Sequence, residues 1–484
     1  MGLREKVINS TLISVTASIT LKGLSVVEMV VFARLFIPSE MGVFFTTLLV
    51  VSFVMLFGQT RIDQSIIRQK QDPEKSMNTA LTINFLVSGV LFVILFLSAP
   101  FVAWLFSRQD LSQFIRFLSF LAFGSAFGLP GVLWTRNLRF GISRIPAFIE
   151  HLVRFVVTIL LFYQGMGIWS LFWGKLLGFV ANYLVLWGMA PCRPRFAFDR
   201  SDATELFSFG WPLFISGLSN YFIWQGDDLL VRYYWGDESL AYYTLAFSLP
   251  YYLKELVDLI CAVLYPAFAK VQDSHEKLAE AFAQSSRYLA FIAAPISMGL
   301  CVFAPQIIHY IYSDQWASAV PLLRLFAISF LLAICLGYNW GSLALARART
   351  KYLMFVNLGT VGFLATGGWF LISQYGPIGG AFYGIAQVLL NVFLAGCFII
   401  YQELGTLSYL KEVWKPILAS VVAGLLVLQL VGPFLTNLAL FMAGVVLFLG
   451  LYLTVYFLMN QRMLVEMIEI WRMLLRLQTS QKEG

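Results

Sequence analysis

A small set of ionisable residues stands inside or at the ends of long apolar runs, and these are the groups whose types and spacing could do chemistry. Lys22 and Lys254 fall near the middle of their runs, at similar depth. Lys175 lies in a third run, and Arg61, with Asp63, marks the end of another. Glu28, Asp227 and Asp228 lie one to two helical turns from the ends of theirs. Glu150 and Arg154 are four residues apart, beside His151. A charge at bilayer depth costs a few kcal/mol to insert, and it marks a pathway unless it is paired. The lysines and Arg61 are therefore candidates for holding an anionic ligand. The acids could take a coupling Na⁺ or H⁺, neutralise the lysines between cycles, or hold Arg34 and Arg232 at the rim. Pairing within a helix is the competing reading. Glu150 and Arg154 read as a structural pair, and Lys254 has Asp258 four residues on and Glu255 next to it. Lys175 has no near acidic neighbour in sequence. Arg116 and Arg324 lie close enough to the ends of their runs to snorkel.

Other chemistries lack their residues. There is no His-Glu-x-x-His, no Gly-x-Ser-x-Gly and no paired-cysteine spacing. The five cysteines are scattered, so neither a metal site, a cofactor site nor a disulfide framework is expected. Gly167 and Gly174-Lys175-Leu176 fail a P-loop in spacing and lack its Ser or Thr. No catalytic centre is visible, and the chain reads as something other than an enzyme. Energy would come from an ion gradient, the membrane potential or consumption of the cargo downstream.

The elements that must position these charges follow from composition. Hydrophobic residues make up 59% of 484 and charged residues 12%, with a mean hydropathy of +0.78. A soluble domain has about 25% charged residues. The runs read as about fourteen transmembrane helices, the first at 8–34 and the last at 437–460. With the N-terminus inside, 24 of the 33 Lys and Arg fall on inner segments and three (Arg34, Arg108, Arg232) on outer ones. That asymmetry is the positive-inside signature, and it places both termini in the cytoplasm. The net charge of +7 then reflects topology and contact with membrane lipids, and no nucleic acid is implied.

The spans fall into two related sets. Residues 33–46 (ARLFIPSEMGVFFT) align without gaps with 231–244 (VRYYWGDESLAYYT), setting Arg34 on Arg232, Glu40 on Glu238 and Thr46 on Thr244. The second copy departs at Leu240, where the first has Gly42. A second echo sets Phe172-Trp173-Gly174 on Phe382-Tyr383-Gly384. Six spans per copy make this a parallel repeat. The expected organisation is an N-lobe at 1–190, a cytoplasmic linker at 191–205 and a C-lobe at 206–401. Spans thirteen and fourteen follow at 402–460, and an amphipathic cytoplasmic tail at 461–484.

Four stretches carry a family resemblance: Ala33-Arg34-Leu35-Phe36-Ile37-Pro38-Ser39-Glu40-Met41-Gly42-Val43-Phe44, Arg136-Asn-Leu-Arg139-Phe140, Gly165-x-Gly167-Ile-Trp169, and Phe207-Ser-Phe209-Gly210-Trp211-Pro212-Leu213. With these, the whole chain resembles the polysaccharide flippases of the multidrug/oligosaccharidyl-lipid/polysaccharide (MOP) exporter superfamily. It is most similar to the lipopolysaccharide and exopolysaccharide biosynthesis branch, including the colanic-acid type. The resemblance implies two six-helix lobes around a cavity that opens alternately to each side of a bacterial inner membrane. It implies as cargo an oligosaccharide linked to a polyprenyl (undecaprenyl) diphosphate, flipped from the cytoplasmic to the periplasmic leaflet for surface polysaccharide, O-antigen included. It also implies a coupling Na⁺ or H⁺ and a polysaccharide polymerase as partner. A diphosphate must carry its charge across mid-bilayer, which gives Lys22, Lys254, Lys175 and Arg61 their expected role as a cationic cavity. Two alternatives stand beside this: a cation-coupled multidrug or small-molecule antiporter of the same superfamily, and a membrane polysaccharide polymerase.

Overall fold

The structure is a computed structural model that describes residues 3–58, 65–67, 73–137, 139–435 and 437–461. Arg61, Asp63 and the amphipathic tail beyond 461 lie outside the described residues. Every regular element among the described residues is helical. Eleven stretches among them are long and apolar enough to cross a membrane. Their outward faces remain apolar, with Leu97 at 70% and Val446 at 69% exposure, as a lipid-facing surface requires. The chain is an all-α, multi-pass integral membrane protein.

The helices used below are α1 (Leu3–Leu35), α2 (Pro38–Leu56), α3 (Pro73–Leu105), α4 (Leu111–Arg136), α5 (Phe140–Leu161), α6 (Trp169–Met189), α7 (Arg200–Val271), α8 (His275–Val302), α9 (Val320–Cys335), α10 (Trp340–Ala346), α11 (Thr350–Phe363), α12 (Trp369–Ala395), α13 (Leu410–Leu430) and α14 (Leu438–Met459). Long α7 is broken at Gly236, whose φ of 85° and ψ of −178° are open to glycine alone. The break falls where the sequence expects the connection between spans seven and eight. The first copy makes the matching turn differently. Pro38 starts α2 at a position where its missing N–H costs nothing, and the Glu40 side chain accepts from the Ile37 N–H at 3.3 Å.

The chain divides into two compact units, Met1–Leu245 with Asn357–Tyr383, and Ala246–Val356 with Gly384–Gly484. In the first, α5 packs on α6 and on α1, and α3 packs on α4. In the second, α8 packs on α9 and α13, and α13 on α14. Its core gathers Phe268, Phe282, Leu331 and Tyr409.

The connection between α6 and α7 is pinned to α3 at three points. The Arg195 N–H donates to Asn78 Oδ1 at 2.7 Å, Thr82 Oγ1 donates to the Ala197 carbonyl at 2.8 Å, and the Asp199 N–H donates to Thr79 Oγ1 at 3.2 Å. Phe196 adds an edge contact to Phe85, with ring centres 5.3 Å apart.

Three loops of the second unit are clipped together by one carboxylate. Glu403 is buried and accepts from Arg347 Nε and Arg349 Nε, each at 2.6 Å. Arg347 also donates to the Gln272 carbonyl at 2.8 Å, and His275 Nδ1 meets the Glu403 carbonyl at 2.8 Å. Burial works against ionisation of Glu403, but the hydrogen bonds and charges of the two arginines outweigh it and hold the carboxyl below its usual range.

Candidate functional charge clusters

Close helix packing determines which charges meet. Gly174 and Gly178 form a small-x-x-x-small seam on α6, and α5 lies so near that a Cβ at Gly174 would sit 2.0 Å from Thr158 Oγ1. That approach lays Lys175 and Asn182 of α6 on Glu150 of α5, at 2.8 Å and 2.6 Å. One turn further along α5, Arg154 donates through Nε to Glu28 Oε1 of α1 at 3.1 Å and through a second nitrogen to Oε2. His151 Nδ1 lies 2.8 Å from the same carboxylate.

Two expectations are refined here. Glu150 and Arg154, read as an i,i+4 pair, stay within Coulombic range of each other, while each makes its hydrogen bonds to a neighbouring helix. Lys175, without an acidic neighbour in sequence, is paired across the α5–α6 seam. Glu28 is 3% exposed and bound by two cationic or titratable side chains.

Lys22 is half-buried on α1, six residues before Glu28. Lys254 belongs to the other compact unit. It donates to Asp258 Oδ2 at 2.7 Å, one turn on, and lies 5.5 Å from the centre of the Tyr251 ring. Asp258 also accepts from the Tyr338 hydroxyl at 2.6 Å.

The acidic pair on α7 is built differently. Asp227 accepts from the Tyr243 hydroxyl at 2.7 Å. Tyr243 is held against α12, where a Cβ on Gly380 would approach its ring to 2.7 Å. Tyr383 of the same helix lies within Coulombic range of Asp227, and its buried hydroxyl has no hydrogen-bond partner among the described residues.

A further cluster joins the two repeat segments directly, and the sequence reading passed over most of it. Arg232 lies 2.5 Å from Asp237 and donates to Thr46 Oγ1 at 2.9 Å, while Thr46 donates to Asp237 at 2.6 Å. Arg108 reaches the other Asp237 oxygen at 3.1 Å, and Arg232 also covers the Phe106 ring at 4.7 Å. Arg232, Asp237 and Thr46 are all nearly fully buried. Gly42 explains the departure from the repeat. A Cβ there would lie 2.0 Å from the Asp237 carbonyl oxygen, so this face of the first copy must be bare, whereas Leu240 at the matching position is packed in the core. Arg232 and Thr46 were visible as aligned positions. Asp237 was hidden because the Gly236 break folds it back toward Arg232.

Arg116 and Arg324 do more than snorkel. Pro100 in α3 has no N–H to return to the Phe96 carbonyl four residues earlier, and Arg116 Nε donates to that carbonyl at 3.2 Å. Pro305 likewise follows Cys301 by four residues, and Arg324 Nε donates to the Cys301 carbonyl at 3.3 Å.

Comparison with known proteins places this architecture. The fold is that of MOP-type membrane transporters. A lipid II flippase MurJ in an inward closed conformation superposes with a TM-score of 0.79, covering 94% of this chain and 100% of that one at 15% identity. An inward-facing multidrug transporter of the MATE family gives 0.64, covering 82% of this chain and 99% of that one at 14% identity. Residues 31–321 match the polysaccharide biosynthesis protein family, and the chain belongs to that family. It is 26% identical over 434 residues to the lipopolysaccharide biosynthesis protein WzxC of Escherichia coli (strain K12), with 86% of each chain covered. It is 24% identical over 397 residues to the teichuronic acid biosynthesis protein TuaB of Bacillus subtilis (strain 168), covering 77% of this chain and 78% of that one.

Proposed function

We propose that this protein is a flippase that carries a polyprenyl-diphosphate-linked oligosaccharide from the cytoplasmic to the periplasmic leaflet of a bacterial inner membrane by alternating access. The family match across residues 31–321, which joins the chain to proteins of surface-polysaccharide synthesis, carries the reading. The transporter fold supports it, and no catalytic chemistry is invoked.

In this reading both termini are cytoplasmic, and Lys22 and Lys254 meet the diphosphate at mid-bilayer depth. The phosphates compete with Asp258 for Lys254. Lys175 holds α5 to α6 through Glu150, and Arg61 meets the headgroup at the inner end of span two. Asp227 and Asp228, with the unpartnered Tyr383 hydroxyl beside them, take the coupling Na⁺ or H⁺. The Thr46–Arg232–Asp237 cluster must open if the repeat segments part, which makes it a latch for one of the alternating states. The flipped product is handed to a polysaccharide polymerase.

The test is deletion of the protein, with lipid-linked oligosaccharide measured on the cytoplasmic leaflet. Accumulation is expected, relieved by wild type but not by Lys22→Ala or Lys254→Ala at equal membrane levels. Full rescue by both variants would reduce the two lysines to structural charges. No accumulation on deletion would move the reading to a cation-coupled antiporter, whose fold this chain shares.

A further inference from the structure

A cavity of about 620 Å³ opens between α3 and the starts of α4 and α6, bordered by the Arg116–Phe96 fixture and, through Asp110 and Arg108, by the edge of the Arg232–Asp237 cluster. Its volume is in the range of pockets that hold small organic ligands. One wall is aromatic and fixed. Phe114 and Phe117 pack against the Trp169 indole with ring centres 4.9 Å and 5.5 Å away, and Phe117 is itself braced on Trp173 at 4.8 Å. A second wall is fixed by Arg116, whose guanidinium is held by the Phe96 carbonyl and lies 5.1 Å from the centre of the Phe96 ring. The rim is polar and unengaged. Gln109, Ser112, Gln113 and Trp169, whose side chains carry two carboxamides, a hydroxyl and an indole N–H, are among the lining residues. None of these groups has a hydrogen-bond partner among the described residues. Asp110 is tied only loosely, by Arg108 at 3.3 Å.

A rigid aromatic face beside two carboxamides, a hydroxyl, an indole N–H and a carboxylate is complementary to a pyranose. Such a ring has an apolar C–H face and an equator of hydroxyls that both donate and accept. One carboxylate and one guanidinium leave the site with no strong net charge, which fits neutral sugars better than a diphosphate. The connection holding Arg108 and Asp110 carries a single basic residue and falls on the outer side in the topology expected above.

We propose that this cavity is a glycan-binding subsite at the outer end of the first repeat copy, which takes the sugar rings of the cargo as they emerge. The inference rests on the flippase reading for its physiological ligand, but its test does not need transport. Purified full-length protein in phosphatidylcholine nanodiscs is titrated with maltotriose, chitotriose and digalacturonate, with binding followed by saturation-transfer NMR and calorimetry. At least one neutral trisaccharide binds to wild type, and Gln113→Ala and Trp169→Phe each weaken it about tenfold at unchanged melting temperature. Gln113 is exposed, so its removal leaves the fold intact even if Trp169→Phe disturbs packing. Three results would overturn the subsite: no binding by any of the three sugars, equal binding by wild type and Gln113→Ala, or loss of sugar binding when phosphatidylglycerol is added, which would assign the cavity to lipid. None of these bears on the leaflet assay that tests flipping.

Discussion

In the first repeat copy Arg116 donates to a carbonyl stranded by Pro100, and in the second Arg324 donates to one followed four residues later by Pro305. The equivalent spans keep the same fixture at nearly the same length. Charge is held quite differently. The first copy neutralises its acids, giving Glu28 to Arg154 and His151, and Glu150 to Lys175. Carrying the repeat register back along the helix sets Gly226 opposite Glu28, and Gly226 packs against Leu364. The second echo sets Ile385 opposite Lys175. In place of those pairs, α7 offers Asp227, which accepts from the Tyr243 hydroxyl, with Asp228 next to it in sequence. The two aligned halves cap their proline-interrupted helices alike, whereas the acids at Glu28 and Glu150 are ion-paired and Asp227 and Asp228 show no ion pair among the described residues. The proposed ion-coupling role of Asp227 and Asp228 rests on that difference.

The sharpest way to break this comparison is to remove one member of a balanced set. Glu28→Gln takes from the partly buried Arg154 its hydrogen-bonded counter-charge and should cost about 2–4 kcal/mol, read as a large fall in the melting temperature of the purified protein. Asp237→Ala strands Arg232 beside Arg108, and a loss of similar size is expected by the same measurement. If Glu28→Gln melts like wild type, the first copy's pairs are not structural.

The Glu403 clip is next. Its carboxyl is depressed, so its contribution is present above the ordinary carboxylate range and is lost as pH falls through the depressed value. Glu403→Gln should melt below wild type at neutral pH, by about 1.5–3 kcal/mol, and the two curves should merge in acid. Persistence of the gap at low pH would mean that packing, rather than charge, holds the three loops.

The shared fixture gives a smaller and symmetric effect. Arg116→Met and Arg324→Met each leave a carbonyl without its donor, and each should cost about 1–3 kcal/mol. Unequal losses would show that the two copies do not use the fixture alike. The smallest effect on stability is expected where the functional effect is greatest. Asp228→Asn removes a carboxyl with no ion-pair partner among the described residues, and should change stability by less than about 1 kcal/mol while abolishing transport in the leaflet assay.

Much of this was legible in the residues. The gapless match of 33–46 with 231–244 located two segments that do meet, and Gly236 replaced Pro38 at the same turn. Partner choice was less legible. The four-residue spacing of Glu150 and Arg154 is a local signal, but the hydrogen-bond partners of both are set by tertiary packing, Lys175 and Asn182 of α6 for Glu150 and Glu28 of α1 for Arg154. Gly174 and Gly178 carried that information in a form that names a close neighbour without naming which side chains it brings. The roles of Arg116 and Arg324 could have been read from a proline in one run and an arginine in the next, since a stranded carbonyl must find a donor. Asp237 could not be placed until the Gly236 break set its direction.

The pinned connection between α6 and α7 has a consequence for dissection of the molecule. A flexible linker holds two parts at an effective concentration set by its length. Residues 191–199 do not act as such a tether, because three hydrogen bonds fasten them along α3 and take up their slack. Halves cut between Met189 and Arg200 and made as two polypeptides would lose a fitted splint as well as a covalent bond. Whether they reassemble would depend on which half keeps that strip of nine residues.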